Sequence, residues 1–444
     1  MPSLTTTSRI GAAIVATAVA GTGLVGVTAA QATPSRVPPW PSLGASVPAS
    51  LLRPAVTTTA AYLARADRRL DRRIRASALG SRVSVRVEDL ASGAVVYSRR
   101  GNRPMVPAST QKTATALAVL SRLGAERVLP TRALLTADGT GIILKGGGDP
   151  ALDSNDLAAL ARSAADVIEA DGESLTRFRV TYDASLFAAP SLPALWPWSY
   201  VGDYSANPTA LTRYGSYSTD SAKETAQYFR RRLRASGLRV ATGVTPGRVP
   251  AGAREIAVFD EHTVSDALWP MLHYSDNTIA EVMIRHVAKG RGTSTTTWGS
   301  AAAVRAELAG LGVPVRSMRT ADGSGLSRAN RISTRTLVAI TRAAMNPQRP
   351  DLAAGFRTAA FPLAGVNGTL EKRFAARGSR CAAGRVMAKT GTLSDVVALS
   401  GITSSTDGRL RAFAILVNNK PSWASTTATR DSVDRLAAAV TGCP

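Results

Sequence analysis

A chain of 444 residues, 45% of them hydrophobic, can bury a large core and has room for two or three domains, so it reads as globular. Its formal charge of +23 is carried mostly by arginine, but no zinc-finger spacing, aromatic RNA-binding motif or heptad accompanies it. We therefore expect no nucleic-acid partner and read the charge as bearing on solubility and on loose association with an anionic cell envelope.

Arg9 precedes an apolar run from Ile10 to Ala30, and Ala30-Gln31-Ala32 is a small-residue cleavage pattern, which predicts a signal peptide over 1–32 and an exported protein. An uncleaved membrane anchor is the alternative. Residues 33–56, with six prolines, read as a linker. Export bears on the two cysteines, Cys381 and Cys443, which are expected to form one disulfide in an oxidising compartment, with two buried thiols as the alternative. His262, His273 and His286 are scattered, and no Cys/His spacing predicts a metal site; no cofactor is expected.

An amphipathic helix is predicted from Thr58 to Ser77, with Leu63, Leu70 and Ile74 on one stripe and its arginines on the solvated face. Arg82–Leu90 and Val95–Tyr97 flank Ser92-Gly93 as a hairpin. Pro107-Ala108-Ser109-Thr110-Gln111-Lys112 then opens a helix, and three residues of spacing place Ser109 and Lys112 on one face with Cβ atoms about 5–6 Å apart. A serine hydroxyl needs a neighbour to take its proton, and a lysine can do so only if desolvation or nearby cations keep it neutral.

Further on, Lys145-Gly146-Gly147-Gly148 reads as a tight strand-to-loop turn, since a phosphate loop would have its Lys after the glycines. Helices are predicted over Ser154–Ala170 and Ser221–Ser236, strands near Arg177–Tyr182, Val240 and Ile256, and an aromatic- and Pro-rich loop over Phe187–Tyr204. Leu268–Lys289 is helical but broken by the polar His273-Tyr274-Ser275-Asp276-Asn277, where Asp276 suits a helix cap. Helices near Thr297–Leu311 and Ser333–Met345 follow. Arg385–Thr392, Val396–Thr403 and Leu410–Asn418 form a three-stranded meander whose first strand presents Lys389, and a helix from Ala424 to Val440 closes the chain. The order of elements predicts an α+β fold, an antiparallel sheet flanked by helices, with a smaller domain at 126–261 inserted between 57–125 and 262–444.

Ser109-x-x-Lys112, Ser275-Asp276-Asn277 and Lys389-Thr390-Gly391-Thr392, in this order, are the three elements of β-lactamases and penicillin-binding proteins. With Leu144–Pro150, Ser275–Glu281, Asp322–Arg328 and Gly368-Thr369-Leu370, the chain resembles the low-molecular-mass class C penicillin-binding proteins, the D-alanyl-D-alanine carboxypeptidase/endopeptidase family. The stretch between Ser109 and Ser275 is shorter than in larger members with two inserted domains, so one of these is expected to be missing.

The chemistry and the resemblance imply the same roles. Ser109 is the nucleophile, Lys112 its base, and Ser275 a proton relay polarised by Lys389, which also helps keep Lys112 neutral; Asn277 holds the substrate amide. The backbone N–H groups of Ser109 and Thr392 form the oxyanion hole, and Lys389, Thr390 and Thr392 bind the substrate carboxylate. The substrates implied are peptidoglycan stem peptides ending in D-alanine, with β-lactams as inhibitors. A β-lactamase, an idle peptidoglycan-binding protein and a Ser-His-Asp triad using His273 are the alternatives.

Overall fold

The structure is a computed structural model that describes residues 60–75, 78–172, 176–359 and 361–443. The signal-peptide and linker segments fall outside them. Among the described residues, no helix is long and apolar enough to cross a membrane.

The first 16-residue helix, α1 (Ala60–Arg75), buries Leu70 and Ile74 while Arg68, Arg72 and Arg75 face solvent. The hairpin β1 (Arg82–Asp89) and β2 (Val95–Arg99) follows. A 3-10 turn at Ala108–Thr110 then leads into α2 (Gln111–Leu123), of which ten residues from Gln111 to Leu120 are buried. Such an all-round burial explains its Ala- and Thr-rich sequence, because small side chains let several neighbours approach one helix.

The next elements are β3 (Thr131–Leu135), β4 (Gly141–Lys145), α3 (Ser154–Ala170), β5 (Arg179–Asp183), a short turn α4 (Tyr200–Asp203), α5 (Ser221–Ala235), β6 (Thr245–Pro246) and β7 (Arg254–Phe259). Their strands form one sheet in the order β6-β5-β4-β3-β7. β3 pairs antiparallel with β4 and β7, whereas β4, β5 and β6 run parallel. Parallel neighbours need a crossover; α3 lies between β4 and β5 in the chain and α5 between β5 and β6. Ile142, Leu144, Leu160, Ile168, Phe178, Phe229 and Leu233 fill the core of this unit. The strand expected near Val240 is a single bridge to Phe178, and the strand proper is the two residues Thr245–Pro246, as suits an edge, where a proline's missing N–H is tolerated.

Helices α6 (Val264–His273), α7 (Asn277–Gly290), α8 (Thr297–Gly310), α9 (Thr334–Ala344) and α10 (Pro350–Thr358) come next, and the last of these was not anticipated from sequence. The meander β8 (Val386–Leu393), β9 (Val396–Ser404) and β10 (Leu410–Asn418) then leads to α11 (Thr426–Thr441).

This second sheet has the order β2-β1-β10-β9-β8, antiparallel throughout. Its inner strands β1, β10 and β9 are largely buried on both faces. Ala412, Ala414 and Leu416 of β10 enter a core shared with α2, α6, α7, α8 and α9, while Phe413, Ile415 and Val417 enter the core under α1 and α11. The alternation of strand side chains thus feeds two hydrophobic layers from one sheet, giving the α+β fold expected. A disulfide joins Cys381, just before β8, to Cys443 after α11.

Candidate active site

Ser109 sits in the 3-10 turn at the head of α2, partly exposed, with Lys112 one turn further on and fully buried. The turn is held by the Thr110 hydroxyl, which donates to the Pro107 carbonyl at 2.7 Å. Two glycines let other segments close on it. A Cβ on Gly325 would lie 1.9 Å from the Ala108 carbonyl oxygen, and one on Gly391 would lie 2.9 Å from that of Pro107. The first brings in the loop 321–328 and the second brings in β8 with Lys389.

The Lys112 ammonium nitrogen reaches three oxygens: Asn277 Oδ1 at 2.7 Å, the Ser324 carbonyl at 2.8 Å and Ser109 Oγ at 3.2 Å. Asn277 is the first residue of α7, and its amide nitrogen donates to the Tyr204 carbonyl at 2.9 Å, so α2, α7 and the aromatic loop meet at one side chain. Asp276 caps α7 by accepting from the Ile279 N–H at 2.9 Å. Ser275, with φ +70°, occupies the left-handed region between α6 and α7. For a residue with a side chain that conformation is uncommon, and it persists where the surroundings impose it.

Burial lowers the Lys112 pKa to about 8, against the opposing charges of Asp322, Asp276 and Glu281. Lys389, also fully buried, is pushed well below the ordinary lysine value by its burial and by the charge of Lys112. Desolvation is the larger cause of the neutral tendency at Lys112, and the repulsion between the two amines falls on Lys389. Lys389 Nζ donates to the Thr390 carbonyl at 3.0 Å. The Thr390 hydroxyl donates to Thr369 at 2.9 Å, and Thr392 accepts from Arg430 of α11 at 3.2 Å. Lys389, Thr390, Thr392 and Arg430 therefore make a hydroxyl-lined, cationic end to the site.

The residues that sequence reasoning left without a role lie beneath Lys112. Glu281, buried on α7, accepts from the Gly323 and Ser324 N–H groups at 3.0 and 2.8 Å. Buried Asp322 accepts from the Gly325 N–H, the Ser327 N–H, the Asn330 amide and the Trp196 indole. Both acids belong to segments singled out above, but only as part of a likeness. His273, the imidazole of the alternative triad, is buried, stacked on Trp269 at 4.7 Å, and backed by Gly368, where a Cβ would touch the ring at 2.8 Å. Among the described residues no group of three or more His, Cys, Asp or Glu side chains is arranged to hold a metal ion.

This arrangement has known counterparts. The chain is 31% identical over 439 residues, 94% of its length and 91% of the relative's, to the carboxypeptidase DacB of Mycolicibacterium smegmatis. It is 29% identical over 80% of both chains to the D-alanyl-D-alanine carboxypeptidase of Actinomadura sp. strain R39. The crystal structure of penicillin binding protein 4 (dacB) from Haemophilus influenzae covers 83% of this chain, and 97% of that one, with a TM-score of 0.69 at 21% identity, so the fold is shared. A family model described as the D-Ala-D-Ala carboxypeptidase 3 (S13) family matches residues 66–219 and 205–440. The paired serine and lysine thus sit in a scaffold already known, and the chain belongs to the D-Ala-D-Ala carboxypeptidase 3 (S13) family of serine peptidases.

Proposed function

We propose that the protein is an exported DD-peptidase in which Ser109 attacks the carbonyl of the penultimate D-alanine of a peptidoglycan stem peptide and forms an acyl-enzyme. The observation that carries this reading is the set of contacts at Lys112. As a neutral amine, Lys112 has two N–H bonds and one lone pair. Its two shorter contacts are to acceptors that carry no proton, Asn277 Oδ1 and the Ser324 carbonyl. When these take both N–H bonds, the lone pair is left for the Ser109 hydroxyl at 3.2 Å.

Proton transfer from Ser109 Oγ to Lys112 Nζ accompanies formation of the Oγ–C bond. The carbonyl oxygen takes the electron pair, held by the N–H groups of Ser109 and Thr392. Collapse breaks the C–N bond, and the proton on Lys112 passes through Ser275 to the departing amine, releasing D-alanine. Lys389, Thr390 and Thr392 bind the free carboxylate, and the Arg430 contact to Thr392 favours an anion there. Asn277, already bonded to Lys112, holds the substrate amide. In endopeptidase action the departing amine is that of a cross-linked stem, and in both cases water then hydrolyses the ester and frees Ser109.

The test is incubation with a muropeptide ending in D-Ala-D-Ala, with products weighed by mass spectrometry. Loss of one D-alanine, absent with Ser109→Ala, is expected; an unchanged muropeptide would overturn the reading.

A further inference from the structure

Lys112 is fixed by a backbone carbonyl whose own loop is fixed by an acid. The Ser324 carbonyl accepts from Lys112 on one side, while the Ser324 and Gly323 N–H groups donate to one carboxylate oxygen of Glu281 on the other. The loop has little freedom to move. A Cβ on Gly323 would meet the Ala280 carbonyl at 2.5 Å and one on Gly325 the Ala108 carbonyl at 1.9 Å, so the backbone is wedged between α7 and the Ser109 turn. Resting on the reading of Lys112 as the base, we propose that Glu281 is its positioning residue: it holds the loop whose Ser324 carbonyl orients the amine, and its charge is linked electrostatically to that amine.

A fold-only role would be served by a neutral acceptor. Burying a carboxyl is costly, and two backbone N–H groups can be satisfied by an amide. The groups around Glu281 make its charge matter. Asp322 on the facing loop repels it, Arg285 lies one turn along α7, and Lys112 of α2 lies across the loop. Asp322 and Asp276 also act on Lys112, and Lys112 acts in turn on Lys389. Burial and the Asp322 charge raise Glu281 to about 7, near the value of about 8 for Lys112, so the two groups change charge over neighbouring pH ranges. Glu281 also lines a narrow cleft between the aromatic loop and α7, together with Ser191, Trp196 and Arg285.

The sign follows directly. A carboxylate near an ammonium favours the charged lysine, so removing the charge while keeping the acceptor makes the amine available at lower pH. Glu281→Gln keeps an oxygen for Gly323 and Ser324. Glu281→Asp keeps the charge but draws it back by one methylene.

The experiment measures the second-order rate of Ser109 acylation by a fluorescent penicillin from about pH 5.5 to about pH 9.5, with the thermal midpoint of each protein. Glu281→Gln is expected to move the acid limb down by about one pH unit, making acylation about fivefold faster near pH 7. Glu281→Asp is expected to leave the limb within a few tenths of a unit while lowering the rate about tenfold or more, as a loosened loop lets the amine wander. Rescue of the parent's pH midpoint by Asp but not Gln is a result that a purely structural role would not give. If Gln unfolds the protein, the Asp variant alone decides: a parent rate at the parent midpoint overturns the proposal. So does a Gln variant that folds and keeps the parent pH profile. Absence of any adduct on the parent protein would instead remove Ser109 as nucleophile, and this inference with it.

Discussion

The amine of Lys112 and the side-chain carbonyl of Asn277 are 2.7 Å apart although 165 positions separate them in the chain. The bond commits the Asn277 amide nitrogen to the Tyr204 carbonyl, so the asparagine cannot flip without losing both partners. Asn277→Asp would put a carboxylate against the amine. An opposite charge at that distance raises a lysine pKa by about one to three units. Acylation in this variant should move its acid limb above pH 8, with the largest loss near neutrality and recovery toward alkaline pH. A uniformly slow variant with an unshifted limb would show that Asn277 acts only through the substrate.

Lys389 has no exposure, and its burial and the charge of Lys112 hold its amine well below the ordinary lysine value. On the proposed reading its removal takes away the partner of the substrate carboxylate, but also a buried polar amine that is costly to desolvate. Lys389→Ala should therefore lower kcat/KM on a D-Ala-D-Ala peptide by about 10²–10³, as loss of one fixed electrostatic contact does elsewhere, with little change in the unfolding midpoint. Unchanged kcat/KM would take Lys389 out of the site.

Penicillin should acylate Ser109 and stay. A class A lactamase deacylates with a Glu followed four residues later by Asn, and none of the glutamates between Ser109 and Ser275 has that neighbour. A class C lactamase uses Tyr where this chain has Ser275. A fluorescent penicillin should leave a lasting labelled band, abolished by Ser109→Ala. Rapid turnover of the drug without such a band would assign the chain to the lactamases.

The Cys381–Cys443 bond spans 62 positions and ties the segment before β8 to the end of α11. In the chain-entropy account, closing a loop of that length contributes about 4 kcal/mol. Cys381→Ala with Cys443→Ala should lower the urea midpoint accordingly. Thiol titration of the unreduced protein should find none, even after denaturation.

His262 should make stability fall with alkaline pH. Although burial works against it, the Asp149 hydrogen bond at 2.9 Å and the charges of Asp149, Asp156 and Asp266 raise it to about 9. The folded state thus holds a proton that the unfolded chain releases near 6.5, so this stability is fully present below about 6.5 and is lost as pH rises through about 9. Urea midpoints at both ends of that window should differ more for the parent than for His262→Gln.

The sequence disclosed those site residues that carry their own local signature. Ser109 and Lys112 share one helix turn, Asn277 begins a capped helix, and Lys389 lies on an apolar strand before Thr-Gly-Thr. Glu281 and Asp322 gave no such sign of a role. A lone acid on a helix reads as a solvated position, and its bonds to Gly323 and Ser324 cross 42 and 43 positions. Helix α10 was missed for a related reason. Gly355 looks like a breaker, but it is the packing point, since a Cβ there would strike Leu120 at 2.7 Å. Desolvation, the first cause of the lowered Lys112 pKa, depends on how completely other segments close over α2, which no local pattern in the sequence shows.

The pairing of β1 with β10 carries a consequence for synthesis. As the chain leaves the ribosome, the hairpin is made early, and the edge of β1 that will face Leu410–Asn418 has no partner until nearly all the protein exists. Val83, Val85 and Val87 lie on that strand, an apolar edge of the kind that recruits foreign strands. Contacts so distant in sequence also form slowly. The molecule is therefore most exposed to aggregation as a nearly finished chain, and a truncation that removes only β10 and α11 would leave Ser109, Lys112, Asn277 and Lys389 all present in a protein with no central strand to join them.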